Sequence, residues 1–282
     1  MVLRSDFDHA LLNMAERRGA ELRCGVRVRS VRAADQGARQ VRVASDDGVI
    51  SARMCVLADG AASAISREAR ILGRFHKHFY GFALRRTPEG IRRPADGPSD
   101  TMELFSYPKP GGYAWVFPKA GSANIGVGSW APKSRKLARD EESVLARLSR
   151  DSIYDIQWRQ SAVGGAFVPI ALTRRRLGRG PVVLAGDAAA LVDPVTGEGI
   201  YHALESGLIA AQCAAGSLSA PASYSASYAG EVLRAFGLDL VSAFPWVLGR
   251  YVFDVFGLGT SRFLVERLAR FASDSGAYRR FG

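Results

Sequence analysis

Apolar positions along the chain change period several times, and each change marks a new element. Phe7, Leu11, Met14 and Ala15 share one helical face, which predicts a helix over residues 3–18. Ser5 or Asp6 is expected to cap its start and Gly19 to end it. Residues 26–32, 40–44 and 49–54 read as short strands, with Asp46-Asp47-Gly48 as the hairpin turn between the last two. Residues 54–58 continue as a buried apolar strand that ends in Asp59-Gly60. Residues 80–86 alternate weakly as a strand, and 87–100, rich in proline, glycine and charge, form a loop. Strands are then expected over 104–107, 112–117 and 123–128, a charged helix over 131–150, and a further strand over 161–170.

The most informative pattern is residues 180–211, GPVVLAGDAAALVDPVTGEGIYHALESGLIAA. Residues 182–185 are apolar without alternation, as in a strand covered on both faces. Gly186 lets the backbone turn sharply and leaves Asp187 at the carboxyl end of that strand, the edge where open α/β sheets bind ligands. Pro194, Gly197 and Gly199 punctuate the following loop. Ile200, Ala203, Leu204, Gly207, Leu208 and Ala211 then fall on one apolar helical face. Amides at the start of that helix can receive an anion or a polarised carbonyl. By pattern alone, a strand, a turn aspartate and a helix belong to any α/β protein. Residues 220–228 read as a Ser/Ala/Tyr linker, followed by helices to the end.

Composition narrows the class. A chain of 282 residues with 48% hydrophobic content is globular, with one large core or two modest ones. Cys24, Cys55 and Cys213 are widely spaced and lack a CxxC, which points to a reducing compartment and to neither a disulfide framework nor a zinc site. Residues 1–6 turn polar at once, so no signal peptide is expected. His76 and His78 alternate, but no carboxylate or cysteine follows at ligand spacing, and no metal is expected. The net charge of +11 is carried almost wholly by arginine. Those arginines are scattered, Arg174, Arg175 and Arg176 reading as a solvated turn. No helix-turn-helix, zinc finger or RNA-binding signature accompanies them, so nucleic acid is not an expected partner. The charge suits NADPH, a diphosphate-bearing lipid or an anionic membrane surface better.

Residue order carries the signal further. GDAA, a proline, and then GEGI leading into an Ala- and Gly-rich helix resemble the second FAD motif of flavoproteins built like p-hydroxybenzoate hydroxylase. The GEGIY form resembles the geranylgeranyl reductase branch. The resemblance implies that Asp187, after Gly186, holds the ribityl hydroxyls of FAD. It also implies that Gly197, Glu198, Gly199 and Ile200, beyond Pro194, present backbone amides near the pyrimidine edge of the flavin. Arg4, Phe7, Asp8 and Leu11 match the R-x-x-F-D-x-x-L segment of the same proteins, which makes Arg4 an expected cofactor contact. Asp59-Gly60, followed by Ala61, Ala62 and Ser63, resembles the middle motif D-G-x-x-S-x-x-R and places Asp59 and Gly60 at the cofactor. Ser66 stands where that motif has arginine, with Arg67 one place later.

Tyr113-Ala114-Trp115-Val116-Phe117-Pro118-Lys119 puts Tyr113, Trp115 and Phe117 on one strand face. Three aromatics at that spacing also suit an ordinary sheet packed on a helix. YxWxFPK followed by NIGVG, however, resembles the geranylgeranyl reductase signature. The resemblance implies that Tyr113, Trp115, Phe117 and Pro118 bind an isoprenoid chain beside the flavin. A long hydrocarbon needs such a wall, since burial contributes about 0.8 kcal/mol per methylene.

The expected fold is therefore α/β (α+β mixed): a p-hydroxybenzoate hydroxylase-like FAD-binding domain with an inserted antiparallel-sheet substrate domain and a C-terminal helical region. The expected boundaries are 1–73 with 165–217 for the FAD-binding domain, 74–164 for the substrate domain and 218–282 for the helices. No G-x-G-x-x-G stands between a strand and a helix; Gly126-Val127-Gly128 and Gly257-Leu258-Gly259 lie elsewhere. The FAD-binding domain thus reads as N-terminally incomplete. The expected activity is FAD-dependent reduction of isoprenoid C=C bonds, with NAD(P)H as donor. Flavin monooxygenase, flavin halogenase, and an inactive or lipid-binding remnant are the alternatives. No residue is marked as proton donor; His202 and Glu205 lie beyond the helix start. Residues 244–258 are apolar but interrupted by Pro245, Arg250 and Asp254, too short and charged to span a bilayer. A cytoplasmic protein with peripheral contact at the inner face of the membrane is expected.

Overall fold

A computed structural model describes residues 3–33, 40–61, 65, 80–88, 102–106, 112–119, 122–129, 139, 142–143, 145–146, 161–169 and 176–255. His76, His78, Ala62, Ser63, Ser66, Arg67, Arg174 and Arg175 lie outside them, as does most of the loop expected over 87–100. The chain divides into two compact units, Met1–Tyr80 with Phe167–Phe244, and Gly81–Ala166 with Pro245–Gly282.

The first unit opens with helix α1 (Arg4–Arg17). Neither Ser5 nor Asp6 caps it: Leu3 is the N-cap residue and no side chain bonds the free amides. The polar groups of the first turns are engaged with one another instead, Ser5 Oγ on Asp6 and the Arg4 guanidinium on Asp8. Gly19 follows the helix with a positive φ, its N–H donating to the Glu16 carbonyl. The expected apolar face is not covered: Leu11 is 36% and Met14 54% exposed.

Strands β1 (Val28–Ala33), β2 (Val41–Ser45) and β3 (Gly48–Ala52) form an antiparallel meander. Pairing of Ser45 with Gly48 makes Asp46-Asp47 the two-residue turn that the sequence predicts. A second sheet has the order β10–β11–β4, from β4 (Cys55–Leu57), β10 (Gly178–Arg179) and β11 (Val182–Leu184). β11 runs parallel to β4, with Val182 opposite Cys55 and Leu184 opposite Leu57. All three β11 side chains are buried, as the run without alternation predicts. Helix α2 (Ile200–Gly216) follows, then a 3₁₀ turn at Pro221–Ser223 and helix α3 (Tyr224–Val255), whose residues up to Phe244 belong to this unit. Pro245 sits within α3, where it removes one backbone donor. No helix among the described residues is long and apolar enough to cross a membrane.

The core of this unit gathers Val31, Val41, Leu57, β11, Ile209, Ala210 and the α3 residues Tyr224, Tyr228, Val232 and Phe236. Two expectations are corrected here. Residues 220–228 are not a linker, because Tyr224 and Tyr228 are fully buried one helical turn apart. Each hydroxyl bonds a main-chain carbonyl, Tyr224 that of Ala210 at 2.9 Å and Tyr228 that of Leu184 at 2.7 Å. Burial raises both phenols, Tyr224 to about 12. The small residues around them mimic a linker only in composition. The second correction concerns α2, whose buried positions are His202, Ser206, Ile209 and Ala210. The stripe read as its inner face is largely bare, with Ile200 39%, Leu204 37% and Leu208 60% exposed.

In the second unit, β5 (Tyr80–Arg86), β6 (Glu103–Ser106), β7 (Tyr113–Lys119), β8 (Ser122–Ser129) and β9 (Gly164–Pro169) form one sheet in the order β6–β7–β8–β5–β9. The strands fall where the sequence predicts them. Leu84, Ala114 and Val127 make a small core with Phe82 packed against it. The described residues between 131 and 150 are helical, and Leu145 is fully buried.

Trp115 decides the other face of this sheet. It pairs with Gly126 across β7 and β8, and its indole covers that residue. A Cβ on Gly126 would fall on the indole and on the Leu84 carbonyl oxygen, so only glycine fits. Gly126→Ala is expected to destabilise this unit by roughly 2 kcal/mol or more, read from urea denaturation followed by tryptophan fluorescence. Stability within about 0.5 kcal/mol of wild type would show that the indole is not held there.

Thiol reactivity tests the first unit. Burial, helped by the charge of Asp59, pushes the Cys55 thiol up to about 11, whereas Cys24 is exposed. At pH 8 a thiol reagent is expected to label Cys24 in the native protein and Cys55 only on unfolding, resolved by peptide mass mapping.

Candidate active site

Parallel pairing of β4 with β11 brings two of the expected motifs to one sheet edge. Leu57 and Leu184 stand opposite each other, so Ala58-Asp59-Gly60 and Ala185-Gly186-Asp187 leave the sheet at the same carboxyl end. The Ala185 N–H still donates to the Leu57 carbonyl at 3.0 Å, which carries the pairing one residue further. Asp59 is exposed and Asp187 half-buried.

The Asp187 turn is fastened on both sides. Its preceding strand carbonyl, Leu184, accepts from the buried Tyr228 hydroxyl at 2.7 Å. The Gly186 N–H donates to the buried Ser206 Oγ at 3.0 Å, and Ser206 Oγ donates in turn to the Ala203 carbonyl. Gly186 has φ +55°, and a Cβ there would stand 3.0 Å from the Ala203 Cβ, so glycine meets both a backbone and a space requirement. Residues 186–189 form a 3₁₀ turn. Tyr228 and Ser206 were not candidates in the sequence: a hydroxyl that serves a distant main-chain atom leaves no local motif.

The Asp187 carboxylate has no hydrogen-bond donor among the described residues, although its main-chain carbonyl accepts from the Ala190 N–H. Burial raises its pKa, the nearby Arg4 charge opposes that rise, and Glu198 adds to it. Arg4, at the start of α1, is thus placed by the fold near Asp187, while its guanidinium is paired with Asp8 at 3.1 Å. Gly199 also faces Asp187: a Cβ there would lie 3.2 Å from Asp187 Oδ1 and 3.2 Å from Val192 Cγ2. Glycine at 199 leaves the carboxylate open for donors from outside the chain.

The loop before α2 is a closed ring of hydrogen bonds. Asp193 Oδ1 accepts from the Val195 and Thr196 amides at 2.9 and 2.7 Å. The Asp193 N–H donates to the Glu198 carbonyl, and the Gly197 N–H to the Asp193 carbonyl. Pro194 is buried within this ring. The Glu198 N–H reaches Thr196 Oγ1 at 3.2 Å, and the Ile200 N–H is taken by the Glu198 carboxylate. Of the amides of residues 197–200, only that of Gly199 lacks a partner among the described residues.

The aromatic positions form their own cluster in the second unit. Tyr113 and Trp115 have ring centroids 5.6 Å apart, and Trp115 and Phe117 stack at 6.2 Å. Trp115 is 9% exposed, its indole N–H donating to Asn124 Oδ1 at 2.7 Å, while Tyr113 and Phe117 are half-buried. Leu104 pairs with Trp115 across β6 and β7 and is 49% exposed, which extends this face. Pro118 alternates to the opposite face, beside Ala123, and so is not joined to the three rings. No group of acidic, histidine or cysteine side chains suited to a metal ion occurs among the described residues.

Residues 1–226 match the FAD binding domain family. The chain belongs to that family of flavin-dependent oxidoreductases. It is 33% identical over 224 residues to the menaquinone reductase of Mycobacterium tuberculosis, which covers 75% of this chain and 53% of that protein. It is 29% identical over 184 residues to the digeranylgeranylglycerophospholipid reductase of Methanocaldococcus jannaschii, covering 62% of this chain and 44% of that one. The chain thus spans about half the length of these curated relatives. Its fold matches a geranylgeranyl bacteriochlorophyll reductase-like protein from Thermoplasma acidophilum, with TM-score 0.72, 23% identity, and coverage of 96% of this chain and 67% of that one. The expected kinship with geranylgeranyl reductase-type flavoproteins and the mixed α/β, p-hydroxybenzoate hydroxylase-like fold are both borne out.

Two measurements test how the Asp187 turn is held. Tyr228→Phe leaves the buried Leu184 carbonyl without its donor, and is expected to cost about 1–3 kcal/mol in chemical denaturation. The raised pKa of Asp187 means that the native state holds its proton more tightly than the unfolded chain does. Its carboxyl therefore favours folding below the ordinary carboxylate range, and that contribution is lost as pH rises through the raised value. Asp187→Asn is thus expected to be more stable than wild type at pH 7, with the difference shrinking toward pH 4. Thermal melts at both pH values check this, and an unchanged or reversed difference would contradict the burial argument.

Proposed function

We propose that this chain forms the FAD and substrate region of a reductase that adds hydrogen across C=C bonds of an isoprenoid lipid chain. The observation that carries the cofactor assignment is Asp187, a half-buried carboxylate without a donor among the described residues, faced by the Cβ-less Gly199. Several hydroxyls on a flexible chain, such as ribityl, would satisfy it as acceptor. Arg4, Asp59, Gly60, Gly186, Pro194 and residues 197–200 complete the proposed cradle. FAD when bound supplies the hydride chemistry. The protein's share is to hold the flavin at Asp187 and the loop before α2, and to give the hydrocarbon an apolar surface.

That surface is the Tyr113, Trp115 and Phe117 row, with Leu104 beside it; Pro118, on the opposite strand face, does not join it. Its rings carry no charged group and suit a hydrocarbon. The names of the curated relatives support this substrate class, because digeranylgeranylglycerophospholipid and menaquinone both carry isoprenoid chains. NAD(P)H is proposed as the electron donor, and peripheral membrane contact as the route to a lipid substrate.

Absorbance of the purified chain after incubation with FAD and gel filtration tests the cofactor assignment. Flavin bands eluting with the protein are expected, and a colourless protein would contradict FAD binding by this chain. Asp187→Ala is expected to weaken FAD binding by about tenfold to a hundredfold, as for loss of hydrogen bonds to a charged group. For the substrate, incubation of the FAD-loaded chain with NADPH and a geranylgeranyl lipid should add two hydrogens per reduced bond by mass spectrometry. Turnover of NADPH with no mass gain on any prenyl lipid would contradict the substrate class.

A further inference from the structure

The amides that open α2 are not bare. Glu198 Oε1 accepts from the Ile200 N–H at 2.6 Å and from the Tyr201 N–H at 3.0 Å. Gly199, the N-cap residue, has no side chain to do this. A carboxylate from the adjacent residue therefore occupies the position where a helix start would receive an anion or a polarised carbonyl.

The other end of the same carboxylate meets an unsatisfied partner. Glu198 Oε2 lies 3.9 Å from His202 Nδ1, beyond hydrogen-bond range. His202 is 7% exposed, and its Nδ1 is buried without a hydrogen bond among the described residues. Its ring packs against Phe236, centroids 4.9 Å apart, and against Tyr201 at 5.5 Å. Each placement of Glu198 thus leaves one group wanting. On the amides it leaves His202 unsatisfied; on His202 it would leave the amides open.

We propose that Glu198 is an internal competitor for the cofactor, seated on the Ile200 and Tyr201 amides until a ligand takes them and then received by His202. This rests on the FAD reading above and assigns Glu198 a distinct part in it. It is a positioning residue that yields the helix start, and no direct contact with FAD is required of it. A ligand that presents an anionic or strongly polarised edge displaces the carboxylate, and a ligand without one does not. His202 limits the cost of displacement, because the released carboxylate satisfies a buried nitrogen.

The test is an FAD titration followed by flavin fluorescence on wild type, Glu198→Ala and Glu198→Gln. Removing the competitor is expected to tighten FAD binding about tenfold in Glu198→Ala, with Glu198→Gln between the two because a neutral acceptor is the weaker cap. Damage to the loop alone would weaken binding, so a gain in affinity separates competition from a structural role. Unchanged or weaker binding in Glu198→Gln, with its circular dichroism intact, overturns the proposal while leaving the FAD reading in place, even if Glu198→Ala fails to fold. Binding by neither wild type nor variants overturns both. Hydrogen exchange gives a second readout: with FAD bound, the Ile200 and Tyr201 amides should stay as protected in Glu198→Gln as in wild type. Faster exchange in the variant–FAD complex would show that Glu198 still caps them, and would overturn displacement.

Discussion

The first unit depends on the parallel pairing of two three-residue strands, β4 and β11. Neither is long enough to persist alone, and β11 survives because it is buried on both faces. Its last carbonyl is claimed by Tyr228 from α3, and the next turn by Ser206 from α2. A short strand so fastened becomes a fixed platform, and the two aspartate turns leave it in register. The site is accurate because the sheet edge, and not the loop, sets the direction of Asp187.

That accuracy is bought with local instability. Among the described residues, Asp187 is a carboxyl raised by burial with no donor to its carboxylate, and His202 holds a buried nitrogen without a hydrogen bond. Unsatisfied buried polar groups are uncommon in native proteins and tend to gather where a ligand completes them. Both lie in the stretch that the FAD binding domain family match covers. The loop between them spends most of its amides on itself, which makes its shape independent of a ligand but leaves little of its backbone open.

The second unit follows a different rule. The character of its aromatic face comes from Trp115 lying over Gly126. One glycine admits the indole, the indole spaces Tyr113 and Phe117, and Asn124 fixes its N–H. Such a surface distinguishes apolar groups by shape and hydrocarbon content.

Much of the fold and of the candidate site was legible in the sequence. Strand periods, the Asp46-Asp47 hairpin, the unbroken apolar run of β11 and the order GDAA, proline, GEGIY each depend on neighbours along the chain, so local chemistry determined them. The inner face of α2 was not legible: periodicity favoured the Ile200, Leu204 and Leu208 stripe, whereas contact with Gly186 and Phe236 drew Ser206 and His202 inward. Nor was the burial of Tyr224 and Tyr228, whose short, small-residue surroundings read as a linker until their hydroxyls met carbonyls 14 and 44 residues away. By itself the sequence determined which elements form and which residues carry chemistry, because those follow from period, turn residues and motif order. Only the tertiary structure decided which donors Asp187 lacks, which amides Glu198 fills and which face each helix buries. Hydrogen-bond satisfaction is settled between distant segments, and no local pattern encodes it.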